Sequence, residues 1–181
     1  MSRSAWSRST SRRAAATSPV RAAPSAREVE RLQALRDTLV QVKQGYWADQ
    51  VEVQRRAAAG WLAWAEGKPE EAVALMRRAA DLEDSTEKHP VTPAAVLPAR
   101  ELLGDLLAEL NQPALAVREY EASLQREPNR FNGLYGAART AELSGDLTKA
   151  KAFYVKVVEL GNQADTGRPE LAAARAFLAK H

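Results

Sequence analysis

Few residues in this chain could do chemistry. The 181 residues contain no cysteine and only two histidines, His89 and His181. The missing thiols exclude a disulfide framework, a cysteine nucleophile and any Cys-ligated zinc or iron–sulfur centre. Two imidazoles, one of them at the last position, do not make a multi-histidine metal site. His89 has the acids Glu83, Asp84 and Glu87 near it in sequence. Acid–base catalysis or cation binding there would need those groups within hydrogen-bond reach of the imidazole. The plainer alternative is an ordered connector in which His89 caps a helix end or packs across a turn. No phosphate loop, nucleophile elbow or metal-binding helix motif is present. The expectation is no catalytic residue, no metal, no cofactor, and a chain that is not an enzyme.

Charge divides the sequence. The formal net charge is +3, yet residues 1–27 hold six arginines and no acid. The remainder carries 20 basic against 23 acidic residues, a balance of −3. Residues 1–25 are rich in Arg, Ser and Ala, with almost nothing to bury, and read as a disordered tail. Three readings of the tail stay open: a solvated extension, an organellar targeting segment, and an anchor for nucleic acid or an anionic surface. No stretch has the apolar core of a secretory signal, and none approaches the ~20 apolar residues that span a bilayer. The cytoplasm is the expected location.

The rest is helical in period. Alanine (36) and leucine (20) dominate, and both favour helix. Val29, Leu32, Leu35, Leu39 and Val42 form one helix face. Ser25 with Glu28 makes a capping box at its start, and Gly45 is the expected stop. A second helix near 47–66 is apolar on two sides, so it should pack between neighbours. Pro69 opens a third, to about residue 82, and Arg55-Arg56 and Arg77-Arg78 read as solvated faces. After a proline-containing loop over 83–96, helices are expected near 97–110, 113–126, 131–144, 147–161 and 169–180. No segment alternates with period two, so no strand is expected.

Helix pairs at fixed spacing call for a repeat test. A shift of 34 residues brings Ala116 onto Ala150, Tyr120 onto Tyr154, and Gly104 onto Ala138. These residues resemble the tetratricopeptide repeat (TPR) pattern W-x2-L-G-x2-Y, A-x3-F, P. The middle unit reads Arg100, Leu103, Gly104 and Leu107, then Ala116 and Tyr120, then Pro128. The following unit reads Leu134, Ala137, Ala138 and Ala141, then Ala150 and Tyr154, with Asn162 in place of the proline. The preceding unit reads Gly60 and Ala63, then Ala72 and Met76, and lies 44 residues before the middle one. These are packing positions, small where helices approach and large where a gap is filled. The resemblance implies an all-α, TPR-like α-solenoid of about eight helices over 26–181. Its repeats would lie near 53–86, 97–130 and 131–164, and residues 169–180 would cap it. From Ala34 onward the chain also resembles the C-terminal part of longer bacterial TPR proteins of unassigned role. Tyr46-Trp47-Ala48-Asp49-Gln50-Val51-Glu52 is one shared stretch. A truncated relative of such proteins is expected.

What the resemblance implies for function is a groove lined by the first helix of each pair. By spacing its positions are Ala57, Trp61 and Trp64, then Glu101, Asp105 and Ala108, then Tyr135, Arg139 and Glu142. Trp61, Trp64, Glu101, Asp105, Tyr135 and Arg139 are the candidate partner-binding residues. Trp, Tyr and Arg commonly carry binding energy. The alternative is that the Trp pair packs on the first helix and the charges are a solvated face. TPR domains that bind chaperone tails resemble one another in carrying Lys, Asn and Arg in the groove, and here Ala57, Glu101 and Asp105 sit there instead. The expected function is a non-catalytic scaffold for a peptide or protein segment of basic or mixed charge. The rivals are a nucleic-acid-associated repeat protein using the basic tail and a non-catalytic subunit of an enzyme complex. With so few repeats, self-association is a further expectation.

Overall fold

A computed structural model describes residues 23–86, 95–162, 164 and 167–181. Most of the Arg/Ser tail, and the loop segment that contains His89, lie outside the described residues. The described residues form eight helices and no strand: α1 (Ala26–Gln41), α2 (Gly45–Ala65), α3 (Pro69–Ser85), α4 (Ala99–Glu109), α5 (Pro113–Arg126), α6 (Phe131–Leu143), α7 (Leu147–Leu160) and α8 (Pro169–Leu178).

The helix starts follow local signals. The Ser25 hydroxyl accepts the Glu28 N–H (3.3 Å) and the Glu28 carboxylate accepts the Ser25 N–H (2.6 Å), a complete capping box. Pro69, Pro113 and Pro169 open α3, α5 and α8, where a missing N–H costs nothing. Asp146 caps α7 through the Lys149 N–H at 3.0 Å.

The turn inside each pair is one device used repeatedly. Gly67, Asn111 and Gly145 take positive φ values of 76°, 57° and 85°. The next N–H then reaches back to the carbonyls of Ala63, Leu107 and Ala141 at 2.9–3.0 Å, closing the helix end. The first helix departs from expectation. It ends at Gln41, and Lys43 takes the left-handed turn at φ 59°. Gly45 instead starts α2.

Each helix packs on the next in sequence. The first helices of successive pairs also touch, α2 on α4 and α4 on α6, while the second helices α3, α5 and α7 approach one another less. The row therefore bends with its first helices inside. The core follows this inner row and its partners: Met76, Leu103, Leu106, Leu107, Leu134 and Val157 are fully buried. By contrast α1 buries no residue completely.

Arg77 and Arg78 are exposed, as a solvated face requires, whereas Arg55 and Arg56 are half-buried. Arg55 and Arg56 both hold the Glu52 carboxylate at 2.7 Å, and Arg77 reaches Glu119 on α5 at 3.2 Å.

Candidate functional site

The inner row positions the candidate residues, and its seams decide which of them remain available. At the α4–α6 seam the Tyr120 ring lies between two glycines. A Cβ at Gly104 would sit 2.9 Å from the ring, and one at Gly136 would sit 2.5 Å from it. Two helices that close can share one aromatic filler only if neither has a side chain there. The Tyr120 hydroxyl emerges on the inner face and donates to Asp105 at 2.5 Å. Burial first, then the Asp105 carboxylate, raise the Tyr120 pKa well above the ordinary value, so the hydroxyl stays a donor.

Glu101 is buried, at 4% exposure, and does not present its carboxylate to a groove. Arg130 donates to it at 2.7 Å and also binds the Ala95 and Val96 carbonyls at 3.1 and 2.9 Å. The pair ties the chain entering α4 to the start of α6. Asp105 is exposed but engaged by Tyr120. The two acids are thus structural at least in part.

The acids near the loop are also committed. Glu83 accepts the Ala99 N–H at 2.7 Å, capping α4 from the preceding helix, and burial raises its pKa. Asp84 binds Arg100 and Arg126. Arg100 also binds the buried Glu119 at 2.7 Å. An ion-pair junction thus stands where the TPR pattern has tryptophan. Among the described residues no group of three His, Asp or Glu could hold a metal ion.

Trp61 and Trp64 meet edge to face, with ring centroids 5.6 Å apart. Both are half-buried and packed on the core, each leaving part of its ring accessible.

Tyr135 and Arg139 meet at the far end of the row. Together with Glu142 they line a pocket of about 310 Å³, whose other walls are Tyr154 of α7, Ala173, Ala176 and Phe177 of α8, and Lys180 and His181 just beyond it. The Tyr154 hydroxyl donates to Glu142 at 2.8 Å. Burial, followed by this bond, pushes the Tyr154 pKa far up. Burial also raises that of Tyr135. Sequence reasoning found the α6 half of this pocket and missed the α8 half. The missed signal was the spacing of Leu171, Ala174 and Phe177, which repeats the buried Leu134, Ala137 and Thr140 at an offset of 37 rather than 34.

The stacked pairs, the repeated left-handed turns and the inner row of first helices define an all-helical, TPR-like α-solenoid. Solved structures share the fold at low identity. The chain is similar to "MamA 41-end from Desulfovibrio magneticus RS-1" at 14% identity and a TM-score of 0.50, covering 84% of this chain and 92% of that one. It is similar to "MamA RS-1 ArsTM double mutant" at 13% identity and a TM-score of 0.50, covering 84% and 93%. No protein-family model matches the chain, and no curated protein matches it. Among the described residues no helix is long and apolar enough to cross a membrane.

Proposed function

We propose that this chain is a non-catalytic scaffold of the TPR family that takes a peptide or protein segment along the inner face of α2, α4, α6 and α8. A TPR-like fold favours a protein partner, because stacked pairs build extended surfaces rather than closed active sites. The observation that carries the reading is a division of labour on the inner face. Glu101 is consumed by Arg130, whereas Trp61, Trp64, Tyr135 and Arg139 keep accessible surface. Those four are the residue types that anchor protein interfaces. The charge argument also shifts. The acidic balance of residues 28–181 favours a basic or mixed partner, but the groove acids Glu101 and Asp105 both have internal partners. The cation Arg139 becomes the leading charge of the face.

Photo-cross-linking tests the proposal. A benzophenone amino acid at Trp64 or Ala108 on the inner face should give discrete adducts in cells. The same group at Leu115 or Leu160, exposed on the second helices, should give none. Adducts from the outer positions alone, or equally from both sets, would sink the reading.

A further inference from the structure

The α6–α8 pocket is where the repeat geometry fails. At the α4–α6 seam two glycines let the helices close over Tyr120. Thirty-four residues after Tyr120 and Gly104 come Tyr154 and Ala138. The buried register of α8, offset by 37, puts Ala173 in the place of Gly136. Alanines thus stand at the two positions equivalent to the glycines, and here the first helices are apart. α8 packs on α7 and makes at most marginal contact with α6, unlike α4 with α6. The space left between them is the pocket of about 310 Å³.

Its lining is selective. A run of rings makes the wall: Tyr135 on Tyr154 (6.2 Å between centroids), Tyr154 on Phe177 (4.7 Å) and Phe177 on His181 (4.6 Å). Ala173 and Ala176 leave room in front of the wall. Two cations, Arg139 and Lys180, line the same space, and neither has an ion-pair partner among the described residues. The single side-chain carboxylate in the lining, Glu142, already accepts from Tyr154, and the main-chain oxygen of His181 accepts from Lys151 at 2.8 Å. Glu170 lies at the start of α8 and is felt by Tyr135, but does not line the pocket.

We propose that this pocket accepts an acidic side chain, with an adjacent apolar side chain against the ring wall, from an internal stretch of a partner segment. The proposal rests on the inner face being the partner-binding surface. A carboxylate between a guanidinium and an ammonium beside the rings makes charge-assisted hydrogen bonds. A side chain fits better than a chain terminus. The lining's donors are the Arg139 and Lys180 cations and the Tyr135 hydroxyl, which suit a carboxylate and offer nothing to the N–H groups of a peptide backbone drawn inside. A side chain reaching in keeps its backbone at the wet mouth.

The test is an NMR titration of the full ¹⁵N-labelled chain with three small probes: acetyl-Glu-Phe-amide, acetyl-Gln-Phe-amide, and acetyl-Gln-Phe with a free terminal carboxylate. Saturable shifts confined to residues 135–142 and 173–181 are expected with the Glu probe. The neutral probe should bind about 10-fold or more weakly, the usual scale of a lost charge-assisted bond. Arg139→Gln should erase the difference between the Glu and neutral probes. Ala176→Phe, at an exposed helix position, should block the site with the melting temperature unchanged. Absent or unsaturable shifts, equal binding of the neutral probe, or indifference to Arg139→Gln would overturn the proposal. Tighter binding of the free-terminus probe would overturn the side-chain assignment. These probes report on the pocket alone. Failed titrations with inner-face cross-links intact reject the pocket, whereas outer-face cross-links reject the wider reading.

Discussion

Tyr120 shows how much one side chain decides. Its ring is wedged by Gly104 on one side and Gly136 on the other, so it has nowhere to retreat. Gly136→Ala gains helix propensity of about 1 kcal/mol but overpacks a seam at a typical cost of about 1–3 kcal/mol. A net loss is expected, seen as a lower urea midpoint. Gly45→Ala is the control. It is also helical but has nothing within 4 Å of the added Cβ, and should leave the midpoint equal or higher. The Tyr120 packing role was legible from the 34-residue spacing. Its bond to Asp105 was not, because a phenol at a packing position reads as a hydrophobe until its neighbours are known. Glu52 supplies a pH signature. Arg55, then Arg56, hold its pKa from 4.5 down to about 2. A depressed carboxyl stabilises the fold above its unfolded value and loses that contribution as pH falls through the folded one. Between about pH 5 and pH 2 the wild type should therefore lose more stability than Glu52→Gln, measured as the change in urea midpoint across that range.

At the scale of elements, short ion pairs join helices along the row, and one of their arginines, Arg100, stands where the TPR pattern has an aromatic residue. Arg130 spans the entry to α4 and the start of α6 by binding Glu101 and two loop carbonyls. Arg130→Met would leave the Glu101 carboxylate buried without its partner, a change worth about 3–5 kcal/mol. The double variant Arg130→Met/Glu101→Leu should recover a large part of that loss, because two matched apolar groups leave no stranded charge. Chemical denaturation of both variants measures the difference. If the double variant is no better than the single, the loop carbonyl bonds of Arg130 dominate instead. The helices themselves were legible because proline, glycine and Ser-x-x-Glu signals coincide at their ends. The end of α1 was misplaced because Lys43 carries no sequence mark of its positive φ, while Gly45 two residues on advertises a stop it does not make. The Glu101–Arg130 pair was invisible for a related reason. Glu101 sits at a groove position by spacing, and its burial is set by an arginine 29 residues away.

The whole molecule is a row, and a row need not open all at once. Stability in stacked repeats is roughly the sum of unit terms and nearest-neighbour interfaces, so the ends are held on one side only. α1 touches α2 and buries no residue fully. α8 rests on α7, buries three residues, and barely meets α6. In the middle, α4 packs against both flanking helices and both neighbouring first helices. Its Leu103, Leu106 and Leu107 are completely buried. Native-state hydrogen exchange should therefore be graded along the chain. Amides of α4, α5 and α6 should exchange only through global unfolding, with the full denaturant dependence of the global transition. Amides of α1 and α8 should exchange through smaller openings of lower free energy and shallower dependence. Equal protection in α1 and α4 would show a single cooperative block and reject this account. The gradient also bears on binding. A ligand in the α6–α8 pocket bridges two helices that the fold itself leaves apart, so it should slow exchange in α8 selectively and leave α1 unchanged. That linkage follows from mass action, since a ligand that binds only the docked form of α8 stabilises that form and nothing else.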